Sequence, residues 1–206
     1  MAFITLQNAQ TFLKGKTAEQ RKVLMKYFLA SGCIGALTGM SDAKYDELVQ
    51  EKVNALNLRQ KALSKIGLDE SEVNEIAPVT FSGWDDSGDY CAKVGKDGKY
   101  RSSKYQVSWL FFSATQVYFY SYTIDMIANT KKEATEEYFY KDITNFSTVT
   151  TSAEVMVKGK TESYDVSKFA ITVPGDKLYC AIGGSNMEEV ERSIQGMKQK
   201  LREKKM

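Results

Sequence analysis

Five cations cluster between Lys93 and Lys104: Lys93, Lys96, Lys99, Arg101 and Lys104. Set on one hairpin they could hold an anion, because lysine and arginine give charge-assisted hydrogen bonds to phosphate or carboxylate oxygens. A charged edge that blocks strand addition is an equally physical use for them. Just before them, Asp85, Asp86 and Asp89 crowd one loop. An EF-hand needs alternating oxygen ligands and a closing glutamate, which this stretch lacks, so an ordinary turn is expected. Gly183-Gly184-Ser185 precedes a helical pattern, where backbone amides could meet a phosphate. It lacks the other glycines and the lysine of a phosphate-binding loop, so a strand-to-helix joint is expected. The last cluster is aromatic: Tyr118, Tyr120, Tyr122, Tyr138 and Tyr140. Exposed, these rings would form an amphipathic face for a protein partner. Covered by the N-terminal helices, they would be core, and this is the expected arrangement because those helices must bury their apolar faces somewhere.

The chain of 206 residues has no histidine. That removes the commonest general base, the commonest zinc ligand, and every Ser-His-Asp or Cys-His arrangement. Cys33, Cys91 and Cys180 are odd in number and widely separated, without a CxxC pair, so neither a disulfide framework nor a metal site is expected. Reduced thiols in a cytoplasmic protein are the simpler account. Hydroxyls and carboxylates are plentiful, yet no positioned base singles one out, so no catalytic residue, cofactor or metal is assigned. The 28 basic and 26 acidic side chains are mixed closely, and a net +2 gives no field for gripping nucleic acid.

Leu29-Ala30-Ser31-Gly32-Cys33 has the form of a lipoprotein attachment box. Lys26 leaves only Tyr27 to Ala30 as its apolar approach, where export needs roughly 7 to 15 residues, so lipidation of Cys33 is not expected. Glycines and Lys26 likewise interrupt the apolar span from Val23 to Met40, which argues against a membrane helix.

The elements that must position these residues follow from periodicity. Thr17 and Gln20 form a capping box for a helix over 17–30, Ser41 starts a long amphipathic helix to Ile66, and Asp69 starts a short third one ending near Ile76. After Pro78 the apolar period changes from 3.6 to 2, with turn signals between short runs, which argues for a β-sandwich or barrel. Strands are expected at 79–84, 90–94, 100–112, 116–126, 136–140, 144–150, 153–158, 164–173 and 178–182. The central hairpin is Tyr105 to Ile124, turning at Ser113 to Gln116, with Tyr105, Val107, Trp109 and Phe111 on one face and Gln106 and Ser108 on the other. Ser185 and Glu188 cap a final helix whose stripe is Val190, Ile194, Met197 and Leu201, and the basic end beyond it reads as a solvated, dipole-matched tail.

This order of elements from Tyr90 onward, together with Trp109 to Tyr120 and Glu137-Tyr138-Phe139-Tyr140-Lys141-Asp142-Ile143-Thr144, resembles the bacterial pleckstrin-homology-like families. The resemblance implies a partly open barrel capped by its C-terminal helix, serving as a binding or assembly platform without catalysis. Lipid-binding members carry a Lys-x-Arg pair beside their aromatic second strand. Lys99-Tyr100-Arg101 has that form, but stands eight residues before Trp109 rather than almost adjacent to it. The sequence thus predicts an α+β protein: a helical unit over 1–76, then an antiparallel pleckstrin-homology-like, partly open β-barrel over 77–206 capped by a C-terminal amphipathic helix. The expected role is cytoplasmic protein binding or self-association without enzymatic activity and without nucleic acid. The alternative is a peripheral membrane module that recognises anionic lipid headgroups through the hairpin 93–104.

Overall fold

The computed structural model describes residues 13–30, 39–69, 77–157, 160–183 and 187–205. The fold is α+β with antiparallel sheets and, among the described residues, four α-helices. Thr17 opens the first as expected: its hydroxyl accepts from the Gln20 amide while the Gln20 side chain accepts from the Thr17 amide. Two otherwise orphaned donors are thereby satisfied. This helix, α1 (Ala18–Val23), widens into a π-helical turn, Leu24–Phe28. The long helix expected up to Ile66 is two helices, α2 (Asp42–Ala55) and α3 (Leu58–Ile66). Asn57 between them is left-handed, at φ 45°, a conformation its short polar side chain tolerates better than most. The break lets Tyr45 and Val49 of α2 and Leu58, Ala62 and Leu63 of α3 all reach the core. The third helix expected over 69–76 falls, past Asp69, outside the described residues, as do Cys33 and Ser185.

The strands are β1 (Val79–Asp85), β2 (Ala92–Val94), β3 (Tyr100–Ser102), β4 (Lys104–Phe112), β5 (Gln116–Asp125), β6 (Lys131–Phe139), β7 (Asn145–Val157), β8 (Lys160–Val173) and β9 (Asp176–Ile182). They form a four-stranded sheet in the order β1-β4-β5-β6, a three-stranded sheet β7-β8-β9, and a small ribbon β2-β3 inserted between β1 and β4. The central hairpin pairs Val107 with Tyr122 and Phe112 with Val117, and the Ser113 hydroxyl accepts from the amides of Thr115 and Gln116 to hold its turn. The strands differ from expectation in three places: the run 100–112 is two strands, β3 in the ribbon and β4 in the four-stranded sheet. The runs 144–150 and 153–158 are one strand, β7, and β6 begins at Lys131 rather than Glu136 because its lysine-rich start pairs with the end of β5.

Both faces of the four-stranded sheet are covered. On one, Tyr105, Val107, Phe111, Tyr120, Tyr122 and Ile124 pack against Val23, Tyr27, Tyr45, Val49 and Leu63 of the helices. On the other, Phe81, Leu110, Phe112, Val117 and Phe119 pack against Phe146, Phe169 and Cys180 of the second sheet and Ile194, Met197 and Leu201 of the terminal helix α4 (Met187–Lys205). Burying each of those last three side chains contributes about 1.5–3 kcal/mol. The face carrying Gln106 and Ser108 is therefore no open surface: Ser108 is fully buried. A sheet covered twice explains why Leu110-Phe111-Phe112 is continuously apolar instead of alternating.

The sheets do not close into a barrel. They meet where β1 crosses β9: a side-chain carbon at Gly83 would stand 2.9 Å from the Ile182 carbonyl carbon. Here the Gly183 amide donates to the Ser82 carbonyl at 3.1 Å, and the Ala181 amide donates to the Gln106 side chain at 2.7 Å. Among the described residues, no helix is long and apolar enough to cross a membrane.

Candidate functional site

The β2-β3 ribbon carries four of the five expected anion-binding residues and Lys104 opens β4, and the structure gives three of the five internal partners. Arg101 is 3% exposed. Its guanidinium donates to both Asp46 carboxylate oxygens at 2.7 and 2.8 Å, and to both Asp97 oxygens at 2.8 Å. Its hydrogen bonds to Asp46 and Asp97 push its pKa up, and the same guanidinium holds the Asp97 carboxyl well below the usual carboxylate range. Lys93 donates to the Tyr27 carbonyl at 3.1 Å and lies 4.5 Å from the centre of the Tyr27 ring, and burial lowers its pKa. Lys104 donates to the Ser87 carbonyl at 3.0 Å. Only Lys96 and Lys99 of the five are exposed, and the Lys96 backbone amide donates to Asp42 at the start of α2. The ribbon is a clamp onto α2, with Asp42 also accepting from the Tyr27 hydroxyl and the Tyr45 hydroxyl donating to the Ser102 carbonyl.

The five tyrosines do not form one exposed face. Tyr120 and Tyr122 are buried and Tyr118 half-buried on the helix-covered side, whereas Tyr138 and Tyr140 belong to the core between the sheets. Tyr140 is not on a strand at all; it opens a 3-10 turn, Tyr140–Asp142, and its hydroxyl donates to the Ser113 carbonyl. Tyr120 donates to Glu133 at 2.9 Å, and Lys61 of α3 pairs with the same carboxylate at 3.3 Å. Burial opposes ionisation of Glu133, yet the Tyr120 hydroxyl and Lys61 bring its pKa below the ordinary value. Burial pushes both Tyr138 and Tyr140 up to about 12.

The acidic loop is also spent on structure. Asp85 accepts from the amide and hydroxyl of Ser87, and Asp86 pairs with Lys168 of β8. Among the described residues, no group of three acidic or thiol side chains is placed to hold a metal ion.

Two clefts remain. The larger, about 690 Å³, opens between the loop after β1 and the turn from β5 to β6. Asp125 builds that turn by accepting from the Ile127 amide and the Thr130 hydroxyl, while Lys52 of α2 donates to its carbonyl. Cys91, Ile127 and Ala128 line the cleft, with exposed Asp89, Lys131 and Lys132 among its polar groups and Lys16 and Lys104 half-buried beside them. Burial pushes the Cys91 thiol up to about 12, so it is a thiol and not a thiolate at neutral pH. The second cleft, about 520 Å³, lies between α2, the ribbon and the ends of β1, β8 and β9. Residues singled out in the sequence are divided between the two, Asp85, Asp89 and Lys104 lining the first and Lys99 and Arg101 the second, whereas Trp84, Tyr164 and Asp46 are brought together only by the tertiary fold.

Set against known proteins, the sequence matches no family model, and neither a curated protein nor a solved structure matches the chain.

Proposed function

We propose that the protein is a non-enzymatic binding and assembly module on a pleckstrin-homology-like framework, working through protein contacts. The strand order supports the framework: a four-stranded and a three-stranded antiparallel sheet, then one helix that buries its stripe between them, with β2-β3 as an addition to the first connection. The observation that carries the function is the loop-end cleft. It sets half-buried Ala128, over buried Cys91 and Ile127, within polar groups of both signs, Asp89 against Lys131 and Lys132. An apolar centre with a polar rim is the anatomy of a protein interface. Both signs on one rim suit a second copy, since a two-fold contact brings each patch onto itself and sets Lys131 and Lys132 of one copy against Asp89 of the other. The two buried thiols, Cys91 and Cys180, support a reducing, cytoplasmic location.

Sedimentation velocity over a concentration series tests this reading. A dimer should grow with concentration, vanish in Lys131→Glu/Lys132→Glu, and return when that variant is mixed with Asp89→Lys. Monomer alone throughout, or a dimer indifferent to these charges, overturns it.

The alternative reading, anionic headgroup recognition, moves from the ribbon to the cleft, where Lys16, Lys104, Lys131 and Lys132 converge. Asp85, Asp89 and Asp125 in the same cleft oppose an anion, which is why protein contact is the preferred reading. Co-sedimentation with vesicles that rises with anionic lipid content, and falls in Lys131→Glu/Lys132→Glu, would favour the alternative.

A further inference from the structure

The second cleft has chemistry of its own. Four aromatic rings reach it, Trp84 from β1, Tyr100 from β3, Tyr105 from β4 and Tyr164 from β8. Trp84 and Tyr105 meet edge to face, their centres 4.9 Å apart at 75°, and make one corner. Tyr100 and Tyr164 lie 6.4 Å apart at 34° and make a second wall. Ring faces carry the negative part of the aromatic quadrupole, so rings at a corner favour a positive charge with an apolar body.

The charges around the cleft point the same way. Arg101 is its buried cation, but Asp46 and Asp97 both embrace it, so the trio carries one net negative charge. Asp165 lines the cleft as well and is exposed, accepting from the Ser152 hydroxyl at 3.0 Å. Lys99 stands exposed at the rim and offsets one of these carboxylates. The lining side chains alone balance, Asp46 and Asp165 against Arg101 and Lys99, and Asp97 behind Arg101 adds one negative charge.

The hydrogen-bonding state of the carboxylates narrows the cation further. Both oxygens of Asp46 already accept from Arg101, so a strongly hydrated ammonium or a metal ion would find few acceptors to replace its water. A quaternary ammonium has no N–H to satisfy and is attracted by rings and by diffuse negative charge. We infer that this cleft binds a quaternary alkylammonium group, held by Trp84, Tyr100 and Tyr164, with buried Tyr105 backing Trp84, and steered by Asp165. It shares no lining residue with the loop-end cleft, so it stands or falls apart from the assembly reading.

Trp84 reports occupancy directly once the other tryptophan is removed by Trp109→Phe. In that background, choline should quench or shift the fluorescence saturably at constant ionic strength. Its neutral isostere 3,3-dimethylbutan-1-ol should bind about tenfold more weakly, between the factors that an exposed and a desolvated cation–π contact supply. Tyr164→Ala and Asp165→Asn should each lower choline affinity several-fold with the far-ultraviolet dichroism unchanged, while Lys131→Glu/Lys132→Glu should leave it as it was. Equal binding of the neutral isostere overturns the inference, reducing the cleft to an apolar hole. No saturable change with choline overturns it too, as does affinity that survives both Tyr164→Ala and Asp165→Asn. Tyr164→Phe, which keeps the ring, supplies the check on folding: it should bind choline as the parent does, and loss of binding there would count against the ring as the source of affinity.

Discussion

Removing Arg101 should cost the fold less than removing the two carboxylates that hold it. The side chain of Arg101 is 4% exposed, whereas those of Asp46 and Asp97 are 41% and 40% exposed. In Arg101→Met the methionine keeps much of the buried stem, and both carboxylates, already two-fifths in water, rehydrate. What is lost is a set of charge-assisted hydrogen bonds offset by that rehydration, a net cost of about 1–2 kcal/mol. In Asp46→Asn/Asp97→Asn the guanidinium stays buried with nothing to neutralise it, and an uncompensated buried charge costs about 3–5 kcal/mol. Equilibrium urea unfolding separates the two: with a slope of about 2–3 kcal/mol per molar for a domain of this size, the midpoints should fall by about 0.5 M and about 1.5 M. Amide exchange in β2 and β3 should quicken in both variants, because the ribbon loses its tie to α2. An arginine variant that loses as much as the double variant, or more, would refute the reasoning that desolvation of the guanidinium dominates this cluster.

Three further outcomes follow from the same structure. Asp97 is held well below the usual carboxylate range by Arg101, so it stabilises the fold above pH about 4, and that contribution is lost as pH falls towards its folded value. Urea midpoints measured on acidification should show this loss, and Arg101→Met should flatten it. Burial raises the Cys91 and Cys180 thiols from 9.0 to about 12, which leaves about a thousandth of the ordinary thiolate at a given pH. In a Cys33→Ser background, Ellman's reagent should therefore find native thiols slower than unfolded ones by at least that factor, and a fast native thiol would contradict the burial. Gly83→Val drives a side chain into the β9 backbone and should cost about 1–3 kcal/mol, whereas Gly196→Ala on α4, where the added carbon meets nothing within 4 Å, should stabilise by about 0.5–1 kcal/mol. Thermal unfolding of the pair, with midpoints moving in opposite directions, is the check.

The parts of this fold legible in the sequence were those coded by neighbours along the chain. Thr17 with Gln20, the Tyr105 to Ile124 hairpin with its turn at Ser113, and the stripe Ile194, Met197 and Leu201 all needed only local spacing, and all stand in the structure. Asn57 hid its break because apolar residues continue past it on helical spacing, while the left-handed state of one asparagine leaves no periodic trace. Charge was harder still. Lys93, Lys99 and Arg101 read alike as cations on a hairpin, but Arg101 is sealed against Asp46 from a distant helix, Lys93 covers a tyrosine ring, and Lys99 is in water. Composition counts charges without saying which are spent, since pairing depends on which elements pack together. The same reasoning explains the aromatic cleft: Trp84 and Tyr164 each look like ordinary strand residues, and come to line one cleft only in the folded chain, beside the point where Gly83 lets β1 touch β9. The corner that joins the sheets is thus also what assembles the cleft, so a side chain at Gly83 should loosen both, lowering choline affinity together with stability.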